Sequence, residues 1–463
     1  MMRGVSLALA CVFVAIALLF VRPVATPGPA LRDFEAYWGA GVAWNAKQDP
    51  YARDVWIGER QVPGVDGTRD EVLPFVGPPA TLPFWAAFAR LPYAIASKLW
   101  YAVLALSLLA LLVLLVRAAV GFVPPMALLS PIALAIAFGP MTSDLALGQV
   151  ALLALLGATA CVVLGSAPIV ASLGAFAAYA QPNIAIALLW QVGRNRVTAA
   201  LIAGGICTYL AGVLGAGWLW PANYASILFA HAASERLTAI QLSPAAIAYG
   251  FGAHPAVAVA IGYAVAAMVV VIAIIVARRQ SGTFVRFASI AALVPLAVGF
   301  FHEHDLIVAF PAVVLCAFRA RGLARALAIV GTLLVAIDWL GLAQRPTGIT
   351  QSALLALAAI CAFAAMGEEH EVRKTIVAGL CIAPLFALAS WLGAAHPSPV
   401  WPDALGAFHA PPTSTIAEVW NAEQQTAGLL RQNAVWAFLR VLSLTGCALL
   451  AVATSRQRGD FVV

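Results

Sequence analysis

Apolar residues run along this chain in long stretches separated by short polar punctuation, a pattern that predicts membrane-crossing helices. Stretches near 4–22, 95–116, 124–141, 150–165, 198–219, 255–277, 285–301, 305–319, 322–343, 350–366, 374–394 and 434–454 each predict one apolar helix. Most reach roughly 17–23 residues, the length that covers a hydrocarbon core of about 30 Å. The stretch 167–193 is apolar as well, but Gln181-Pro182-Asn183 interrupts it. Proline removes a helical hydrogen bond and crowds the preceding turn, so this stretch is one long kinked helix or two short ones meeting at the break. The expected fold is an all-α polytopic integral membrane protein, one domain over 1–463 with about 12–14 transmembrane helices.

The polar punctuation gives the orientation. With the N-terminus inside, the cytoplasmic positions collect Arg117, Arg194, Arg196, Arg278, Arg279, Arg286, Arg319, Arg321, Arg325, Arg373, Lys374, Arg456 and Arg458. The short outer connections hold almost no basic residue, as the positive-inside rule requires. The alternation works if 167–193 is a hairpin with its break near the outer face. Three outer segments stand out by length: 23–94, 220–254 and 395–433. The first apolar run follows Arg3 and reads as a retained helix or as a cleaved signal peptide; retention is favoured because the run is long and proline-rich sequence follows it.

Composition supports the membrane reading. Charged residues make up 10% of the chain, against about 25% in soluble domains. The net charge of +6 comes from basic residues scattered between apolar runs, whereas a nucleic-acid binder concentrates them on one face. The seven cysteines lie inside apolar stretches without CxxC spacing, which predicts small core side chains and no disulfide framework. Polar chemistry is therefore expected in the outer loops and at the helix ends beside them.

The first outer loop opens with Arg32-Asp33-Phe34-Glu35-Ala36-Tyr37-Trp38. Its position leaves the Asp33 carboxylate near the membrane surface, either as a functional group or as a solvated charge beside interfacial aromatics. A second cluster, Phe301-His302-Glu303-His304-Asp305-Leu306, lies between two apolar runs with almost no loop. Four ionisable groups there are costly unless they face a wet cavity or one another. They contact substrate, or form a polar turn in which Asp305 caps the next helix. The two histidines are metal-ligand types, but their i, i+2 spacing fits one helix face poorly and no HExxH motif is present. Further polar intrusions are Asp144 and Gln149, Gln181 and Asn183 at the helix break, Asp338, and Arg440 within the last helix. Arg440 either snorkels to headgroups or binds a phosphate.

Asp33-Phe34-Glu35-Ala36-Tyr37-Trp38, Asp49-Pro50-Tyr51, Pro78-Pro79 through Pro83, Gly148-Gln149 and the Gln181-Pro182 break occur in an order that resembles glycosyltransferase family 87. That family contains polyprenol-phosphate-mannose-dependent α-1,2-mannosyltransferases of the GT-C superfamily. The pattern spans about residues 4–320, and hydropathy alone matches beyond it. The resemblance implies a GT-C-like bundle with a large first extracytoplasmic loop, a polyprenyl-phosphate sugar donor, and Asp33 as general base. Gln181 stands where the family often has lysine, and the His302–Asp305 cluster is more crowded than the family pattern.

A polyprenyl phosphate is already a leaving group, so transfer needs an aligned acceptor hydroxyl and a base to take its proton. The expected activity is transfer of a sugar, mannose favoured, to a glycolipid or glycan acceptor with inversion. The expected setting is a bacterial-type inner or plasma membrane, with the site facing the periplasm or exterior. Asp33 is the expected base. Glu35, Tyr37, Trp38, Gln149, Gln181, Asn183, His302, His304, Asp305 and Arg440 are the expected substrate contacts. Membrane lipids are expected partners and nucleic acid is not. No cofactor is expected, since the lipid-linked donor is a substrate, and a divalent metal stays open. A transporter or flippase, or a ligase or polymerase of lipid-linked glycans, is the alternative.

Overall fold

The computed structural model describes residues 2–20, 31–53, 55–123 and 125–457. Two features read from the sequence, the opening of the first outer loop at 21–30 and Arg458, lie outside them. The described residues form helices and no strand, and the chain is an all-α multi-pass membrane protein. Among these residues eight helices are long and apolar enough to span a bilayer. They are Met2–Leu19, Tyr93–Val120, Asn195–Ala216, Pro255–Arg279, Gly322–Gln344, Pro346–Met366, Glu369–Ala395 and Ala434–Ser455. A ninth candidate is a bent pair, Met126–Ala137 and Gly139–Leu147, whose halves meet at 74°.

The other apolar stretches among the expected 12–14 form shorter or broken helices, and the reason is local. Pro140 opens the second half of the bent pair, where it cannot continue the helix before it. The stretch 285–301 becomes Thr283–Ala291 and Val294–Ala297, and 305–319 begins as a tight turn before the helix Phe310–Arg319. Backbone freed at such breaks is tolerated at membrane depth only when buried in protein or lining a cavity. The residues concerned are accordingly almost all buried. By contrast, Pro255–Arg279 exposes Val257, Ile261, Tyr263, Met268, Val271 and Ile275, a surface suited to lipid.

Packing relies on small residues, the means by which membrane helices approach closely. The first helix turns Ser6, Ala10, Val14 and Ala17 inward, against Ile349–Met366. Gly331 and Gly446 let the helices around them touch: a Cβ on Gly446 would lie 2.7 Å from the Gly331 carbonyl oxygen.

The bundle has two chemically distinct ends. At one, Arg319 donates to the carbonyls of Ala118 and Ala119, and Arg194 and Arg286 donate to the 280–281 backbone. Gln280 there donates to the Ser455 carbonyl. Arg325 donates to Thr375 Oγ1 and to the Ala317 and Phe363 carbonyls. These are the positions read as cytoplasmic, and the fold gathers them. The 167–193 stretch is two short pieces broken at Gln181. Gly165 lies beside Val197 and Trp190 beside Arg286, so both ends of the stretch sit at the arginine end. The break itself lies at the opposite end, where Gln181 meets Asp305.

Candidate functional site

At the end opposite the arginines, the described residues of the three long segments read as outer are folded structure, not open loop. The 220–254 segment contains helices Trp220–Glu235 and Pro244–Gly250, and 395–433 contains Ile416–Thr426, opened by a Thr415–Glu418 capping box. Together with 32–77, 300–305 and 338–345 they enclose a cavity of about 330 Å³. Its polar wall includes Asp33, Gln149, Gln181, Glu235, His302, Glu303, His304, Asp305 and Arg345.

Asp33 is placed by the residues behind it. Phe34 is fully buried among aromatic rings, stacked on Trp100 at 6.0 Å and edge-on to Trp85 at 6.3 Å. Asp33 stands at the N-cap of Phe34–Asn45, where a carboxylate ordinarily accepts from the first turn, yet it makes no side-chain cap bond. Its backbone N–H donates to the Leu147 carbonyl at 2.9 Å, and its Oδ2 accepts from Gln149 Nε2 at 2.5 Å. Gln149 Oε1 in turn accepts from the Tyr37 hydroxyl at 2.5 Å. The ionised carboxylate can only accept, so the amide N–H₂ faces Asp33 and the amide oxygen takes the tyrosine proton. Gly148 makes this relay possible. Its φ is +74°, and a Cβ there would lie 2.8 Å from that of Leu31, which leaves glycine as the residue that fits.

The second half of the site is a histidine–carboxylate group. Glu235, 1% exposed, accepts from Gln241 Nε2 and Trp420 Nε1 at 2.6 Å each and lies 3.3 Å from His302 Nε2. Burial alone would raise the Glu235 pKa, but His302, His231 and the Trp420 donor bring it below the usual carboxylate value. Burial likewise opposes charge on His302, and the Glu235 carboxylate overcomes it, pushing the imidazole up to about 9. His304 goes the other way: burial, with help from His302, holds it below its ordinary value despite Asp305. Asp305 accepts from Gln181 Nε2 at 3.2 Å and from the His302 backbone N–H at 3.0 Å. Glu303 is raised to about 8 by burial and by Asp338, partly offset by Ser143 and Arg345.

Asp33, Tyr37, Gln149, Gln181, His302, His304 and Asp305 therefore share one cavity. Glu35, Trp38 and Asn183 are not on its wall. Glu35 is fully buried behind it, 3.7 Å from Arg32. Trp38 donates to the Leu91 carbonyl and packs edge-on to Tyr93. Tyr37 has one ring face covered by Trp85 at 4.7 Å, so its hydroxyl is its contribution. Arg440 borders the cavity but donates to the carbonyls of Trp436, Thr238, Gln241 and Ala246. A guanidinium spent on four carbonyls braces the last helix against 238–246 and leaves little for a phosphate. Arg345 is exposed, faces the cavity and has no ion pair among the described residues.

No family model, curated protein or solved structure matches this chain. The site rests on its own geometry.

Glu235, Arg345, Trp401 and Trp420 are among the wall residues that pattern reading missed. For Glu235 a signal existed: it is the only carboxylate in 220–254 and lies four residues after His231. Arg345 and the two tryptophans carry no local pattern that separates them from ordinary interfacial residues.

Proposed function

We propose that the protein is a membrane glycosyltransferase that moves a sugar, mannose favoured, from a polyprenyl-phosphate donor to a lipid or glycan acceptor. The observation that carries this reading is Asp33 itself: a carboxylate at a helix N-cap that declines to cap, held instead by Gln149 and Tyr37 at the cavity wall. The order of motifs resembling glycosyltransferase family 87 supports it independently. The cavity volume suits a monosaccharide, since small-molecule pockets run from about 300 Å³ upward.

In this mechanism Asp33 takes the proton of the acceptor hydroxyl as its oxygen attacks the anomeric carbon. The bond from that carbon to the phosphate oxygen breaks, its electron pair leaves with the polyprenyl phosphate, and configuration inverts. The Gln149 N–H holds one carboxylate oxygen and leaves the other, which carries no hydrogen bond among the described residues, for the acceptor. Arg345 takes the role expected of Arg440 and offsets the phosphate charge. Sidedness follows from the arginine end: by the positive-inside rule the cavity faces the periplasm or exterior.

The test uses the full chain in lipid nanodiscs with radiolabelled polyprenyl-phosphate mannose and a membrane glycolipid extract. Label moving into a new glycolipid in wild type and not in Asp33→Asn, with both proteins equally stable, supports the reading. Wild-type turnover in Asp33→Asn removes the base. No transfer from any polyprenyl-phosphate sugar overturns the transferase and points to a transporter or glycan ligase.

A further inference from the structure

The mechanism above leaves part of the cavity without a task. His304 is 92% buried by its 8% relative exposure, and neither of its ring nitrogens makes a hydrogen bond among the described residues. Buried polar groups in folded proteins almost always have a partner. Close by, both carboxylate oxygens of fully buried Asp144 and Oε1 of Glu303 also lack hydrogen bonds. Asp33, Glu235, Asp305 and Asp338 join them around this small volume. The cations near it are fewer than the carboxylates: Arg440 is committed to carbonyls, Arg32 pairs with Glu71 beneath Trp401, and Arg345 stands at the wall without an ion pair among the described residues. The arrangement is short of positive charge.

We propose that His302, His304 and Asp305 bind a divalent transition-metal cation inside the cavity, with Glu235 and Gln181 orienting the ligands. The potential ligand atoms of the three residues lie within 4.8 Å of one another. His304 Nε2 and Asp305 Oδ1 are 3.9 Å apart, less than two metal–ligand bonds of about 2.0–2.2 Å laid end to end. The i, i+2 spacing is no obstacle, because residues 304–309 form a tight turn and not an α-helix, and the two imidazole centroids are 5.4 Å apart.

The surroundings are those of a supported metal site. Metal-binding histidines usually give their second ring nitrogen to a carboxylate, which sets the tautomer and raises ligand basicity. Glu235 lies 3.3 Å and the Gln241 amide nitrogen 2.9 Å from His302 Nε2, so both side chains hold the ring at that nitrogen and Nδ1 is the one left to ligate. Gln181 does the equivalent for Asp305 by donating to Oδ1. Two imidazoles and one carboxylate favour zinc, iron(II) or cobalt over magnesium or calcium. Three protein ligands also leave coordination positions open to the cavity. Those positions would take a phosphate oxygen of the donor, a clause that rests on the transferase reading; the metal site itself does not.

The experiment strips the purified full chain with EDTA and reloads it separately with Zn²⁺, Mn²⁺ and Co²⁺. Metal content is read by mass spectrometry, and Co²⁺ ligation by its visible absorption. About one Zn²⁺ or Co²⁺ per chain, with a Co²⁺ spectrum showing nitrogen ligation, is expected in wild type. His304→Ala and Asp305→Asn should abolish uptake, and Glu235→Gln should weaken it by about 10–100-fold. Wild type that takes up no metal overturns the proposal whatever the variants do, as does uptake unchanged in His304→Ala and Asp305→Asn variants of normal thermal stability. Glycosyl transfer is scored separately. Stoichiometric metal without transfer from any donor leaves the site standing and the transferase fallen; EDTA-insensitive transfer without metal uptake does the reverse.

Discussion

The two ends of the bundle use charge in opposite ways. At the arginine end, cations are matched to backbone: Arg325 donates to Thr375 and two carbonyls, and Arg319 closes on the end of the Tyr93–Val120 helix. At the cavity end, charged groups are gathered beyond what local bonding uses. Asp33 omits its cap bond, Asp144 and Glu35 have no hydrogen bond on either oxygen, and Arg345 has no ion pair among the described residues. A polar group in a membrane protein is costly unless something is gained by it. At one end the gain is architecture, and at the other the charges line a cavity.

That contrast can be broken most sharply at Asp33. Asp33→Asn should lower the transfer rate by about 10²–10⁴-fold, the usual worth of a general base, with unchanged melting temperature; single-turnover transfer kinetics measure it. Next comes Arg345→Ala, expected to raise the KM for donor by roughly 10–100-fold through loss of a charge-assisted phosphate contact, again without loss of stability. Arg325→Met at the opposite end should do the reverse. It should cost roughly 2–4 kcal/mol by leaving buried acceptors unpaired, seen in denaturant melts, while kcat and KM stay at wild-type values. If Arg325→Met selectively impaired transfer, the division between the two ends would fail.

The smallest effect belongs to Glu35. Burial, aided by Asp33 and opposed by Arg32, raises its pKa to about 8 from a usual 4.5. Between those values the folded protein holds a proton that the unfolded chain has released, so stability falls as pH rises from about 4.5 to about 8. Glu35→Gln removes this dependence. Its melting temperature relative to wild type should climb between pH 5 and pH 8, the sign being set by the proton that only the folded wild type holds in that window. A flat difference across that window would show that Glu35 is ionised when buried.

Much of this was legible in the sequence because membrane segments are coded by length and by arginine placement. Arg194, Arg286 and Arg319 were read as neighbours of one face, and the fold brings them to one end. The break at Gln181 was visible because proline cannot be ignored by a helix. What was not legible was partnership across distance. Arg440 reads as a phosphate ligand until the carbonyls of Thr238, Gln241 and Ala246 are seen around it. Glu35 and Trp38 sit in the same short motif as Asp33, but a helix distributes neighbours around its circumference, and these two turn away from the cavity. Run length alone did not show that the apolar stretches carrying Pro140, Pro295 and Pro311 form bent or short helices.

The wall of the cavity also has an order of arrival. Val72 N–H donates to Glu423, Asp70 bonds with Phe408 and Ala410, and Trp420 donates to Glu235. Asp33, Gln149 and the His302–Asp305 group all precede that closing segment in the chain. During synthesis those residues therefore emerge well before the 401–423 strap that packs over them, so the cavity gains this wall only after most of the bundle has been made.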